Sequence, residues 1–345
     1  MERVILKSTG ALGDTVLMTS LVPRLREIDM EPVIAAKPFM FSLLDNLNIE
    51  LINHDDLNGA GSIKVFDTSK YWNFHPESKP LHREFSKKEK SEMAALSEWM
   101  SYTLHFDYHL PIKCSSRDDV KISLTENEIV KARDYLKSIS PDKPVVALPL
   151  FATTKNRNLP RKTIEGIVKG VSEFATPLFL PFADVKDFPA VYLSDKTPLR
   201  ETASILYAVD EIAGADTGTT HLANAALQGT PDYQIERVNS NKNKILWLLG
   251  ATHPKVTIYD GNRFITHTNR LGVCPLEIVC GAVGYSTTED AQRRFGGMPF
   301  YLAGGKDKSA CLYHDYSLSE VSRCMNEISA QEVVSNIHSH IRNLN

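Results

Sequence analysis

The sequence predicts an α/β protein of two domains, each a parallel sheet with helices on both faces. Three observations predict it. Short apolar runs such as Val4–Leu6 and Pro144–Leu150 alternate with stretches of helical period, the pattern of strands buried on both faces. The alternation restarts after the turn-rich Ser140–Pro144, which places a domain boundary there. Two of the apolar runs end in glycine-bearing loops that open on helices, at Ser8–Gly13 and Gly214–Gly218. In such sheets ligands bind at the carboxyl ends of strands.

The elements follow in order. Val4–Leu6 reads as a strand, and from Thr15 the residues Leu17, Leu21, Leu25 and Ile28 recur at helical spacing, with Asp14 as the N-cap of that helix. Pro32–Ala36 is a strand, Phe39–Leu47 a helix, and Glu50–Asn53 and Ile63–Phe66 are short strands. Met93–Leu104 is an amphipathic helix, residues 112–124 include a strand, and Thr125 with Glu128 forms a capping box for a helix to about Ile139. Beyond the boundary, Pro144–Leu150, Leu178–Leu180, Val191–Leu193 and Glu211–Ala213 are strands. Helices start at Arg161, at Thr197–Pro198 as N-cap and first-turn proline, and near Thr219. Ile328–Ile341 is a last amphipathic helix.

Composition bounds the function. The 345 residues suit two domains of about 150 residues each. A formal net charge of -3 gives no global attraction to nucleic acid or acidic membranes, so an acidic partner must be met by a local patch. The N-terminal MERVILKSTG has neither the basic start nor the apolar length of a signal, and no apolar run approaches the roughly 20 residues of a membrane span. The expectation is a cytoplasmic protein, able to work at the inner membrane face.

The chemistry concentrates in Gly214–Pro231, GADTGTTHLANAALQGTP. Strand, tight turn and helix N-terminus follow one another, so backbone N–H groups and the helix dipole can meet an anion. Gly218 lets an anion come close to the backbone, Thr217, Thr219 and Thr220 add hydroxyls, and Asp216 and His221 can bond a phosphate or a sugar. Lys155 and Arg157 stand in the loop after the Pro144–Leu150 strand, at the same end of the same sheet. They read either as an ordinary basic loop or as a counter-charge to that anion.

Lys64–Lys90 is rich in Lys and Arg, Lys70 and Arg83 among them, with Tyr71, Trp72, Phe74 and Phe85 interspersed. It is either a solvated surface loop or a binding loop for an anionic acceptor. Four of the five cysteines, Cys274, Cys280, Cys311 and Cys324, form two loose pairs with His314 nearby. Their spacing is wider than in common zinc sites, so a structural metal site and four reduced cysteines both stand as readings.

LGDTVLMTSLVPRLRE at Leu12–Glu27, PLRETASILYAVDEIAGADTGTTHLANAALQGTP at Pro198–Pro231 and LLGATHP at Leu248–Pro254 resemble, in order and spacing, the blocks of glycosyltransferase family 9, which contains the ADP-heptose:lipopolysaccharide heptosyltransferases. The resemblance implies a GT-B fold, two Rossmann-like domains facing across a cleft, and inversion at the anomeric carbon with no metal or other cofactor required for catalysis. It implies an acceptor-side domain at 1–140, a nucleotide-sugar-binding domain at 144–327, and a helix at 328–345 that packs back on the first domain.

By the same resemblance Asp14 is the general base, and the basic residue before the family's Trp-Pro falls on Arg157, where Asn158, Leu159 and Pro160 follow; Lys155 is the alternative. Gly13, Thr15, Lys155, Asp216, Thr217, Gly218, Thr219, Thr220 and His221 are the donor-binding candidates, and Lys70 and Arg83 the acceptor-binding ones. Some relatives carry iron on cysteines of the C-terminal region, so iron or zinc is the metal that the four cysteines would hold. The family departs here after Gly229-Thr230-Pro231, where DYQIERVNSNKNK precedes the ILWLLG strand.

The function these residues predict is transfer of a sugar from a nucleotide-diphospho-sugar to an anionic glycan such as a lipopolysaccharide core. A nucleic-acid or protein acceptor, and a non-catalytic nucleotide-sugar-binding module, are the rival readings.

Overall fold

The computed structural model describes residues 2–8, 11–59, 63–67, 100–101, 104, 108–113, 115, 119–152, 157–180, 187–230, 244–250, 258–259, 261–266, 321 and 323–344. Two parallel sheets organise them. The first holds β1 (Glu2–Lys7), β2 (Met30–Ala36), β3 (Glu50–Asn53) and β4 (Lys64–Asp67) in the order β3-β2-β1-β4. The second holds β5 (Val145–Ala147), β6 (Thr176–Phe179), β7 (Val191–Tyr192), β8 (Glu211–Ala215), β9 (Ile245–Leu249) and β10 (Arg263–Thr266) in the order β10-β9-β8-β5-β6-β7. Counted from β5, the second sheet runs third, second, first, fourth, fifth, sixth, which is the doubly wound dinucleotide-binding order. The first sheet repeats its first four places.

The central strands of both sheets are buried on both faces, as the unbroken apolar runs require. In the first, Ile5, Val33 and Ala35 join Ile52, Ile63 and Val65 on one face, while Val4, Leu6, Ile34, Ala36 and Phe66 look to the other. The second is covered on one face by α5 (Arg161–Ser172) and α9 (Ala330–Leu344), and on the other by α6 (Leu199–Ala208) and α7 (Gly218–Gly229). One apolar cluster runs from Leu17, Leu21 and Leu25 through to Leu222, Ala225 and Trp247, so the cores of the two sheets are continuous.

Several elements differ from the sequence expectation, each for a local reason. The helix expected over Thr15–Ile28 is two, α1 (Leu12–Met18) and α2 (Leu21–Arg26). Pro23 has no N–H for the Thr19 carbonyl, which instead takes the Val22 N–H at 3.2 Å. The Thr19 and Ser20 hydroxyls donate back to the Val16 and Leu17 carbonyls, tightening the turn. The apolar stripe survives, with Leu17, Leu21 and Leu25 buried and worth about 1.5–3 kcal/mol each. The N-cap of α1 is Ala11; Asp14 lies three residues on, inside the first turn, where its charge still opposes the helix dipole. The expected Phe39–Leu47 helix is the short α3 (Phe41–Leu44) between two 3-10 turns.

The capping box is present: Thr125 Oγ1 accepts from the Glu128 N–H at 3.3 Å, and the Thr125 N–H donates to Glu128 Oε2 at 2.7 Å, at the start of α4 (Glu126–Ile139). Its helix packs on α6. At α6 itself Pro198, not Thr197, holds the capping position, and its carbonyl accepts from Thr202 N–H at 2.9 Å. The stretch 112–124 was expected to include a strand; its continuous described part, residues 119–124, instead runs along α7, where Ile122 N–H donates to the Ala225 carbonyl at 2.9 Å and Leu124 N–H to Thr230 Oγ1 at 3.1 Å. Their alternating apolar residues fit an extended chain, but a helix end supplies the partners.

The last helix is also placed differently. Among the described residues α9 packs on α5 and β8 of the second domain, where a return to the first was expected, with Val333, Ile337 and Ile341 buried among Ile164, Ile167 and Val168. Arg263 and His340 both pair with the fully buried Glu211 at the start of β8. Among the described residues no helix is long and apolar enough to cross a membrane.

Candidate functional site

In a doubly wound sheet the strand order reverses between the first and fourth strands, here β5 and β8, and the loops leaving their carboxyl ends splay apart to leave a crevice. Asp216 and Thr217 are the two residues between β8 and α7. Thr217 has extended backbone angles and caps α7, its hydroxyl accepting from Thr219 N–H at 3.2 Å. A cap of this kind is worth about 1 kcal/mol. Thr220, fully buried, donates its hydroxyl to the Ala215 carbonyl at 2.8 Å and so ties the first turn of α7 back to the strand.

Across the reversal, the loop after β5 carries Arg157. Asn158 shapes its end: Oδ1 accepts from Ala152 N–H at 2.6 Å and Nδ2 donates to the Ala152 carbonyl at 3.3 Å. Held this way, Arg157 Nη1 reaches Asp216 Oδ2 at 3.4 Å, with side-chain exposures of 32% and 11%. Two residues 59 apart in sequence are thereby joined over the crevice.

Behind Asp216 the site is polar and closed. His221 Nε2–H donates to Asp216 Oδ1 at 3.3 Å, and Tyr259 O–H donates to His221 Nδ1 at 3.0 Å. The carboxylate can only accept, so Nε2 carries the proton, and in the neutral ring Nδ1 is then the acceptor of the Tyr259 hydroxyl. The imidazole meets Trp247 edge-on at 5.2 Å and Tyr259 at 5.9 Å between ring centroids. Tyr259 and Asn158 escaped the sequence reading. Tyr259 stands in a stretch without periodicity, and its one signal is the apolar Ile258–Tyr259 pair; Asn158 was noted only as a neighbour of Arg157.

The first domain reaches the same point through α1, which packs on α7. Gly13 and Gly218 meet there with backbone against backbone: a Cβ on Gly218 would stand 2.7 Å from Gly13 N and 3.0 Å from Leu12 Cβ. Asp14, the next residue, is partly exposed. The starts of two helices from two sheets therefore converge, bringing partial positive charge, the Arg157 guanidinium and two carboxylates into one region.

The structure thus brings Gly13, Arg157, Asp216, Thr217, Gly218, Thr219 and His221 together around the α7 start, with Asp14 beside Gly13. Two candidates are removed from direct contact with a ligand. Thr15 is fully buried, its hydroxyl 2.6 Å from Ser8 Oγ and 2.9 Å from the Ala11 carbonyl, and Thr220 is buried as described. Both hold loops that others use. Lys155, Lys70, Arg83, Cys274, Cys280, Cys311 and His314 lie outside the described residues; of Cys324 only the backbone is placed, in α8 (Arg323–Asn326). Among the described residues no group of three His, Cys, Asp or Glu side chains is disposed to hold a metal.

The fold and the crevice define a GT-B protein, α/β with two parallel sheets. No family model matches the sequence, and no curated protein matches it either. Solved structures do. The chain is similar to the Escherichia coli ADP-heptose lipopolysaccharide heptosyltransferase II, with TM-score 0.57 and 12% identity over 99% of each chain. It is similar to the glycosyl transferase family 9 protein of Veillonella parvula, with TM-score 0.52 and 12% identity over 99% of this chain and 98% of that one. TibC, a dodecameric iron-containing heptosyltransferase crystallised with ADP-D-β-D-heptose, matches with TM-score 0.61 and 12% identity over 100% of this chain and 77% of its own. The chain shares its fold along its whole length with heptosyltransferases of glycosyltransferase family 9.

Proposed function

We propose that this protein is an inverting glycosyltransferase, with no metal needed in the chemical step, that moves a sugar from a nucleotide-diphospho-sugar of the ADP-heptose kind to a hydroxyl of an anionic glycan such as a lipopolysaccharide core, from the cytoplasmic face of the membrane. The observation that carries the reading is the Arg157–Asp216 pair over the β5/β8 reversal, set at the N-terminus of α7 where Gly13 meets Gly218. The ADP-heptose held by TibC, which shares the fold, supports the donor.

The chemistry follows from the parts. The acceptor hydroxyl attacks the anomeric carbon, its proton passes to the Asp14 carboxylate, and the bond from that carbon to the diphosphate oxygen breaks with its electron pair left on the diphosphate. Negative charge grows on the leaving group as this happens. The α7 N-terminus and Arg157 offset it; a preorganised donor of this kind is worth roughly 3–4 kcal/mol in the transition state. Asp216 holds Arg157 in place before the donor arrives, and His221, buried behind it, holds Asp216. In this scheme the first domain, to about residue 140, presents acceptor and base, and residues 144–327 hold the donor.

The test is Asp14→Asn. With ADP-heptose and a heptose-deficient core acceptor, transfer should fall by about 10²- to 10⁴-fold while ADP binding, measured by calorimetry, stays within a factor of a few of the parent. Unchanged turnover would remove Asp14 from the base role, and the absence of any nucleotide-sugar binding would overturn the reading as a whole.

A further inference from the structure

We infer that Tyr259 is a positioning residue of this site, acting through His221 and Asp216 to hold the Arg157 guanidinium at the α7 N-terminus. The inference rests on the reading of the crevice as a nucleotide-diphospho-sugar pocket. Three contacts in series carry it: Tyr259 O–H to His221 Nδ1 at 3.0 Å, His221 Nε2–H to Asp216 Oδ1 at 3.3 Å, and Arg157 Nη1 to Asp216 Oδ2 at 3.4 Å. Tyr259 and His221 are buried, Asp216 nearly so, and only Arg157 reaches solvent to any extent.

The geometry assigns each link a task. Asp216 Oδ1 takes the His221 N–H and Oδ2 meets Arg157, so a turn of the carboxylate moves the oxygen that the guanidinium reaches. The carboxylate is held by the imidazole, which must present Nε2–H. The imidazole is fixed at its other nitrogen by the Tyr259 hydroxyl and on its edge by Trp247, whose ring also stacks on Tyr259 at 6.2 Å. Without the hydroxyl, Nδ1 is a buried acceptor facing a phenyl edge, a state that costs enough to let the ring turn and Asp216 follow. Tyr259 comes from the chain between β9 and β10, so it ties the crevice to an element that supplies no other residue of the series.

The experiment is a double-mutant cycle on the full chain with ADP as probe, joined to an imidazole ¹⁵N spectrum of histidine-labelled protein in which His221 is assigned by its loss in His221→Gln. Tyr259→Phe should weaken ADP binding roughly tenfold, and that loss should vanish in an Arg157→Ala background, because residues with no shared contact couple only through the chain between them. The His221 Nδ1 resonance should move in Tyr259→Phe. A phenylalanine variant that binds ADP like the parent, or a tenfold loss that persists in full without Arg157, overturns the inference, since a merely structural tyrosine would act additively. Should the parent itself bind no ADP, the proposed function falls, and the spectrum alone decides here: a moved Nδ1 resonance supports the series and an unmoved one overturns it.

Discussion

Gly13 of α1 and Gly218 of α7 touch through their backbones, and the contact is tighter from one side than from the other. A Cβ on Gly218 would lie 2.7 Å from Gly13 N, whereas a Cβ on Gly13 would lie 3.2 Å from Gly218 Cα and 3.6 Å from His221 Cδ2. Backbone cannot swing aside as a side chain can. Gly218→Ala should therefore part the two helix starts, costing about 1–3 kcal/mol of stability and a larger share of transfer activity. Gly13→Ala should be the milder change on both counts. Thermal unfolding beside a transfer assay checks the order, and a Gly218→Ala variant as stable and active as the parent would mean that the helices do not depend on this contact.

Arg157 is the cation whose removal should be felt in turnover rather than in folding. Its side chain is a third exposed and sits on a loop already closed by Asn158. Arg157→Ala should lower kcat by about 10²- to 10³-fold with little change in Tm. Lysine should recover part of the loss, because it restores the charge without the planar fork. Steady-state kinetics of the two variants give the comparison, and an alanine variant with normal kcat would assign leaving-group stabilisation elsewhere.

Thr15 and Thr220 show how much of the site was legible in the sequence. The α7 start was, because cap, glycine and small-residue helix stand next to each other in the chain. What was not legible is which hydroxyls point outward. Thr15 and Thr219 look alike in sequence, yet Thr15 is consumed by Ser8 and the Ala11 carbonyl. Likewise the Arg157–Asp216 pair and the Tyr259 contact depend on strand order, which apolar periodicity does not encode, and the α1/α2 break came from Pro23 withholding one N–H inside an otherwise regular stripe. The central parallel strands were readable to within a few residues, since burial on both faces leaves an unbroken apolar run, whereas the edge strand β10 (Arg263–Thr266), with a charged start and an exposed Phe264, gave no such run.

Thr15→Val makes that distinction measurable. The shape is kept and the hydroxyl lost, removing the 2.6 Å bond to Ser8 Oγ and the 2.9 Å bond to the Ala11 carbonyl from a buried setting. Stability should fall by about 1–3 kcal/mol, while the folded fraction binds ADP as the parent does. Denaturant unfolding with parallel calorimetry checks it; a large loss of ADP affinity at full stability would return Thr15 to the donor contacts.

Glu128 gives a pH dependence with a definite sign. Burial pushes its carboxyl up, but the Arg200 guanidinium and the Thr125 N–H and hydroxyl outweigh that and hold it below the ordinary glutamate value. Arg200 Nη2 lies 3.0 Å from Oε2. A carboxyl lowered on folding stabilises the native state above the unfolded value of about 4.3, and the contribution is lost as pH falls through the lower folded value. Glu128→Gln keeps a side chain able to close the capping box and removes the charge. The Tm gap between parent and variant should be widest near neutral pH and close as pH drops below about 4; a gap independent of pH would show that the ion pair contributes nothing.

Glu211 lies under α9, where Arg263 and His340 reach it and where burial pushes its carboxyl up against their pull. His340 is 129 residues downstream of it. During synthesis the four strands of the first sheet are all available once residue 67 has left the ribosome, and their pairings can form early. The central strand of the second sheet must wait for a helix made far later before its carboxylate gains the histidine partner. The nascent chain therefore carries a half-finished second sheet for much of its translation, and that interval, rather than the stability of the completed protein, is where this fold is most exposed to misassembly.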